Sequence, residues 1–386
     1  MISPARTTAF DVLRKVETGG WASDLLRAAA IDSRDAALAS EIVFGVLRRR
    51  AQLDFLIGHY AGSRHLDAEV CIALRMGIYQ LRYLERIPAH AAVAESVELV
   101  KRARKRSAAG LVNAVLRKVD RGAAAWPSRE IAWSCPEWLL ARWERHFGAA
   151  AAERIACAAL RTPETYVRIP PGTAIALPDA EPTEVSGCYR VAADRAARAG
   201  IRIQDIGAQS IVPLLCLETG QRFLDLCAAP GNKTAQALEA GVRAVACDRY
   251  GHRLAHLKNL PVPLVVLDGT ASLPFGHVFD RILLDAPCSG TGTLARNPEI
   301  KWRLSPDDLL DLQRRQMALL ANARAALAPG GLLVYSTCSL EPEENEDVVA
   351  GLRPGLVIST MRRLPGRDSG DGFFAAVIKS DQPAND

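Results

Sequence analysis

Arg222 to Asp248 reads RFLDLCAAPGNKTAQALEAGVRAVACD, and the order of elements inside it decides the fold class. An apolar, β-favouring run over Arg222–Leu226 gives way to a loop of small residues. A helical stretch follows over Thr234–Ala240, then a second strand over Arg243–Cys247. Strand, helix, strand in series means parallel strands joined by a crossover. The pattern continues with strands predicted at Leu264–Leu267, Phe279–Leu284, Leu332–Tyr335 and Phe373–Ile378, and helices at Tyr250–Leu260 and Pro306–Leu327. Residues 201–386 therefore read as a doubly wound α/β sheet of Rossmann-like type.

The loop Cys227-Ala228-Ala229-Pro230-Gly231-Asn232-Lys233 has the character of a cofactor loop. Its small side chains let the backbone approach a ligand closely, and it runs into a helix start. It is neither GxGxxG nor the GxxxxGK[ST] phosphate loop. Acids end three further strands: Asp248 after AVAC, Asp268 after LVVL and Asp285 after LL. Asp248 suits a ribose diol, and Asp268 suits an adenine amino group. Any one of these acids alone is explained as a helix N-cap. Together they describe the cleft of an S-adenosylmethionine-dependent methyltransferase.

Two cysteines sit at strand ends of the same sheet: Cys288 in LLDAPCSGTG (283–292) and Cys338 in VYSTCSLEPEENEDVV (334–349). Two thiols facing a nucleotide-type cofactor point to covalent chemistry on a poor nucleophile, and cytosine carbon 5 is one. Thiolate attack on carbon 6 makes carbon 5 an enamine carbon that can take a methyl group from a sulfonium. The carbon-5 proton must then leave and the thiol be expelled. Asp285 has a natural place at N3 of the ring, hydrogen-bonding or protonating it as charge builds there. A plain buried strand end does not account for STCS running into the acidic EPEENED.

Residues 1–125 read as all helical, with apolar positions at three- and four-residue steps: Phe10, Leu13, Val16; Ile42, Val46, Leu47; Leu74, Ile78, Leu81; Val93, Val97, Val100. Ser33 and Asp35 are candidate caps for a helix through Val46. Residues 126–200 read as a Trp- and Pro-bearing linker and a small accessory RNA-binding subdomain, with one helix over Leu139–Leu160 and a strand near Tyr166–Ile169. The length of 386 residues carries two or three domains with ample cores. No apolar stretch reaches the roughly 18 residues of a membrane span, and the start of the chain lacks a signal core, so a cytoplasmic protein is expected. Nine scattered cysteines without a CxxC pair argue against a disulfide framework or a metal site. Net charge of +5 decides little. The run Lys101-Arg102-Ala103-Arg104-Lys105-Arg106 does more, because clustered cations suit a phosphate-contacting surface.

These residues resemble the RNA cytosine-C5 methyltransferases of the Sun/RsmB type. The family's cofactor loop, its DAPCSGxG loop and its TCS motif occur in order as DLCAAPGNK, DAPCSGTG and STCS. RNPEIKW (296–302), IQDIGAQ (203–209) and DGFF (371–374) are further matches. Helical stretches such as ARTTAFDVLRKVE and LRMGIYQLRYLERIPAHAAVAESVELVK are similar to NusB-type RNA-binding domains. The resemblance implies an all-α NusB-like domain followed by a class I methyltransferase domain, with S-adenosyl-L-methionine as cofactor. It implies Cys338 as nucleophile, Cys288 as the residue assisting release, and Cys227 to Lys233, Asp248, Asp268 and Asp285 as the cofactor and active-site set. RNA, small-subunit ribosomal RNA above all, becomes the expected partner of a monomer. Its contacts are expected from Lys101, Arg102, Arg104, Lys105, Arg106, Arg296, Asn297 and Lys301. Asn232 replaces the usual second glycine of the loop, where a left-handed backbone is expected to be tolerated by asparagine. Three rivals stay open: a non-catalytic RNA-binding factor, a transfer RNA substrate, and a DNA methyltransferase in which Cys288 would attack.

Overall fold

The computed structural model describes residues 2–381 apart from 63–64, 123, 171, 174–176, 178, 194–195 and 197–200. The chain forms two compact units: Met1–Thr162 with Leu294–Arg303, and Pro163–Thr293 with Leu304–Asp386. The expected accessory region 126–200 is divided between them, and the part of it at 171, 174–176, 178, 194–195 and 197–200 lies outside the described residues.

The first unit is helical throughout. Helices Pro4–Glu17, Ser33–Arg48, Arg50–Ala61, Ala68–Tyr83, Ala89–Arg102 and Ala109–Leu116 bury one core. Phe10, Ile42, Leu74 and Ile78 are all inside it, as their three- and four-residue spacing requires. The cap of Ser33–Arg48 is Asp32, whose carboxylate accepts the Asp35 N–H at 2.8 Å, rather than Ser33 or Asp35. The predicted helix Leu139–Leu160 is two helices, Glu137–Phe147 and Ala149–Ala159, broken at Gly148.

A segment from the far half of the sequence completes this unit. In Leu294–Arg303, Glu299 accepts the Ala22 N–H at 2.9 Å and Arg303 donates to the Val16 and Gly20 carbonyls, each at 2.7 Å. Lys301 donates to the Arg48 carbonyl at 2.9 Å while the Arg48 side chain donates to the Ala295 carbonyl at 2.8 Å. RNPEIKW is thus a structural part of the helical unit.

The second unit holds two sheets. A small antiparallel sheet, in order β2-β3-β1-β4, is made of β1 (Thr165–Arg168), β2 (Glu181–Pro182), β3 (Cys188–Val191) and β4 (Arg202–Ile203). Its buried Arg168 pairs with Glu239 at 2.6 Å.

The main sheet has seven strands: β5 (Arg222–Asp225), β6 (Arg243–Asp248), β7 (Leu264–Val266), β8 (Phe279–Asp285), β9 (Leu327–Thr337), β10 (Val357–Arg363) and β11 (Phe373–Lys379). Their order is β10-β11-β9-β8-β5-β6-β7, with β5 to β9 parallel and β11 antiparallel to both neighbours. Ile282, Leu283 and Leu284 of β8 are completely buried on both faces, the mark of a covered parallel sheet. The six predicted strands are all present. β10 was not expected, because its sequence VISTMRR carries no sustained apolar run, and none of its residues is fully buried. Strand order reverses between β5 and β8, so their carboxyl ends flank the crevice where such sheets hold ligands.

Candidate active site

The carboxyl ends of β5, β6, β8 and β9 and the turn after β7 carry the residues singled out from the sequence. Asp225 closes β5 and is buried; it accepts the Thr234 hydroxyl at 2.7 Å on one oxygen, and the other has no protein partner. Burial pushes its carboxyl up to about 7 despite that hydrogen bond. Asp248 accepts the Ala229 and Tyr250 N–H groups at 3.3 and 3.0 Å, which pins the cofactor loop to the end of β6. Asp268 is half-exposed two residues beyond β7, held below its ordinary value by the Thr270 hydroxyl and N–H, with Arg249 adding to the effect.

The loop between β5 and the helix Asn232–Leu238 turns at Gly231, where φ is +103° and a Cβ would lie 2.6 Å from Leu257. Glycine is required there. Asn232 is the first helical residue, so the left-handed geometry expected of it falls on Gly231 instead. Cys227 is held well above the ordinary thiol value by burial and the nearby Asp225, so it stays a neutral lining residue.

Across the crevice, Asp285 ends β8. Its two oxygens accept the Lys233 ammonium at 2.6 Å and the Ser336 hydroxyl at 2.9 Å. Burial pulls the lysine down, yet the Asp285 charge and hydrogen bond outweigh it and the net shift is upward. The Lys233 nitrogen also lies 5.1 Å from the Phe373 ring centre, within cation–π reach. Thus DGFF, read from the sequence only as a resemblance, supplies a wall of this site. IQDIGAQ meets the same wall, since Asp205 accepts the Gly207 and Asp371 N–H groups at 2.8 and 3.0 Å.

Cys288 and Cys338 come together, their Sγ atoms 3.3 Å apart, both half-buried and neither sealed in the interior. The contact with Cys338, then burial, holds the Cys288 thiol well above its ordinary range. The two loops are stitched by backbone bonds: Gly292 N–H donates to the Cys338 carbonyl at 2.9 Å, and Gly372 N–H donates to the Gly292 carbonyl at 2.8 Å.

The profile of the 16S rRNA methyltransferase RsmB/F family matches residues 212–354, and that of the NusB family residues 3–121. Ribosomal RNA small subunit methyltransferase B of Sodalis glossinidius is 34% identical over 92% of this chain and 92% of its own length. The protein of the same name from Erwinia tasmaniensis is 34% identical over 97% of this chain and 98% of its own. The chain belongs to this methyltransferase family. The crystal structure of PH0851 shares the fold, with a TM-score of 0.79 at 21% identity over 98% of this chain and 99% of that one.

The cofactor of this methyltransferase is S-adenosylmethionine. The residues present fit it: Asp225 keeps a buried oxygen without a partner, Gly231 admits close backbone approach, and the Asp248 and Asp268 oxygens have lone pairs to spare. The expected RNA contacts divide. Lys101, Arg102 and Lys105 are paired with Glu98, Asp11 and Asp67 at 2.7, 2.8 and 2.9 Å, while Arg104 and Arg106 are exposed. Arg296 and Asn297 are half-buried. Lys301 is completely buried and its ammonium is committed to the Arg48 carbonyl, so it has no surface to offer a phosphate.

Sequence reasoning missed Glu344, Gln316, Ser289 and Ser339. EPEENED reads only as an acidic run unlike the end of a core strand, yet Glu341, Glu344 and Asn345 are completely buried. A signal was available in the repeated Cys-Ser dipeptide, Cys288-Ser289 and Cys338-Ser339.

Proposed function

We propose that this protein methylates carbon 5 of a cytosine in small-subunit ribosomal RNA through a transient bond between Cys338 and carbon 6. The observation that carries this reading is the 3.3 Å approach of two thiols beside a carboxylate already paired with a cation. The helical unit, with Arg104 and Arg106 on its surface, docks the RNA. The target base leaves its stack so that its ring faces the sheet edge. Bound S-adenosylmethionine supplies an electrophilic methyl group.

Cys338 attacks as thiolate, the nucleophilic form of a thiol, with the Cys288 sulfur 3.3 Å away. As sulfur adds to carbon 6, negative charge spreads to N3 and the carbonyl oxygen. Asp285, oriented by Ser336, faces that edge and relays a proton from the Lys233 ammonium to N3, which neutralises the charge and leaves Lys233 as the amine. Carbon 5, now an enamine carbon, would receive the methyl group that bound cofactor supplies, with S-adenosylhomocysteine as the leaving group. A water molecule takes the carbon-5 proton, the electron pair re-forms the ring double bond and expels the Cys338 sulfur, and N3 returns its proton to the Asp285–Lys233 pair. Cys288, the only thiol within contact of that sulfur among the described residues, protonates or otherwise assists the leaving group. The enzyme acts as a monomer in the cytoplasm under this reading.

The test is covalent trapping. RNA carrying 5-fluorocytosine has no carbon-5 proton to lose and should hold the wild-type enzyme as an adduct on a denaturing gel. Cys338→Ala should form none and transfer no methyl group, whereas Cys288→Ala should stall as an adduct on ordinary RNA. A fully active Cys338→Ala enzyme removes the nucleophile assignment. A DNA strand of the same sequence, methylated as fast as the RNA, removes the polymer assignment.

A further inference from the structure

Glu344 takes no part in the steps above, yet it lies completely buried beside both cysteine loops. Oε1 accepts the Ser289 N–H at 2.8 Å and the Gln316 side-chain amide at 3.0 Å. Oε2 accepts the hydroxyls of Ser289 and Ser339, both at 2.5 Å. Ser289 and Ser339 directly follow Cys288 and Cys338. Gln316 also donates to the Pro287 carbonyl at 2.9 Å, so Cys288 is held from both sides. Asn345, next in the chain, accepts the Thr337 hydroxyl at 2.5 Å and donates to the Ser339 carbonyl at 2.9 Å, bracketing Cys338 in the same way.

We propose that Glu344 is the positioning residue of this active site: one buried carboxylate anchors both Cys-Ser dipeptides and so sets the distance between the two sulfurs. The consequence for turnover rests on the cysteine reading given above; the consequence for spacing does not. A carboxylate is the group that four converging donors demand, since an amide offers one acceptor oxygen and adds two donors of its own. Burial raises the Glu344 carboxyl, and the hydrogen bonds from Ser289, Ser339 and Gln316 pull against that rise. Such a group is kept where every partner points a proton at it. Nothing in it touches substrate; it acts through the backbone on either side of each thiol.

The experiment measures spacing without activity. Diamide takes two electrons and two protons from a thiol pair, becomes a hydrazine and leaves a disulfide, so its rate of closing Cys288–Cys338 reports how often the sulfurs meet. In full-length Glu344→Ala we expect that rate, read by peptide mass, to fall about tenfold or more. S-adenosylhomocysteine affinity by calorimetry should stay within about twofold. Methyl transfer should fall about 100-fold in kcat with KM for RNA little changed, the size of loss that a displacement of about 1 Å produces. Glu344→Gln should be intermediate, because both serine hydroxyls can turn to accept from the new amide; it also serves if the alanine variant fails to fold. Wild-type disulfide rates in both variants, or a loss that tracks the melting temperature and cofactor affinity alike, overturn the proposal. Slow closure in Glu344→Ala together with an active Cys338→Ala enzyme would keep the anchor and discard the cysteine assignment.

Discussion

The Sγ atoms of Cys288 and Cys338 approach to 3.3 Å although fifty positions separate them in the chain. That contact is the first cause of the raised Cys288 thiol, with burial second. The two sulfurs should therefore differ sharply in reactivity. At pH 8, iodoacetamide is expected to modify Cys338 well before Cys288, as read by peptide mass spectrometry. In Cys338→Ala the pairing is gone, and Cys288 alkylation should accelerate severalfold. Equal labelling of both thiols in the wild-type protein would contradict the division of labour.

Lys233 and Asp285 form one unit, with 2.6 Å between ammonium and carboxylate. Lys233→Met leaves the carboxylate without its cation and is expected to lower methyl transfer about 100-fold, with RNA affinity changed far less. Asp285→Asn should cost a similar factor. If they work as a unit, the double variant should be little worse than either single one. Additive losses would show two independent roles, and a loss confined to cofactor affinity would move Lys233 from the chemistry to the cofactor site.

Much of this site was legible because chemistry that needs a strand end leaves a mark: an apolar run, then an acid or a thiol, then small residues. Asp248, Asp285, Cys288 and Cys338 all carry that mark and all meet at one sheet edge. The anchors behind them do not. Glu344 lies in a run rich in glutamate, and a sequence does not reveal which acid in such a run faces inward. Lys301 shows the opposite error. It sits in a motif with a basic appearance, but the helical unit closes over it, and burial there is decided by contacts more than 250 residues away. Strand β10 was hidden for a third reason, its place at the sheet's edge with a mixed, mostly polar sequence and no fully buried residue.

Gly292 offers a steric test of how tightly the thiol loops are joined. A Cβ there would lie 2.3 Å from the Gly372 carbonyl oxygen and 2.8 Å from that of Cys338. Backbone atoms cannot swing aside as a side chain does. Gly292→Ala is expected to destabilise the catalytic unit by about 1–3 kcal/mol and to slow 5-fluorocytosine trapping more than it lowers cofactor binding. A variant with wild-type trapping kinetics would show that the loops tolerate a shift.

Lys301 gives the prediction with a worked sign. Burial, with Arg48 and Arg49 nearby, brings its ammonium down to about 8 from an ordinary 10.5. Below pH 8 both folded and unfolded chains hold the proton, and no slope arises. Between 8 and 10.5 the unfolded chain binds a proton that the folded one releases, so the wild-type protein gains stability as pH rises. The whole gain is about 3 kcal/mol. Lys301→Met fills a similar volume without a buried cation, so at pH 7 it should be as stable as wild type or more so, despite the lost bond to the Arg48 carbonyl. Urea unfolding at pH 7, 8, 9 and 10, followed by tryptophan fluorescence, should show the variant's advantage shrinking as pH rises. A pH-independent difference would mean that the amine is solvated in the folded state. The same variant should leave the salt dependence of RNA binding unchanged, since a completely buried lysine neutralises no phosphate; a slope reduced by about one would return Lys301 to the RNA surface.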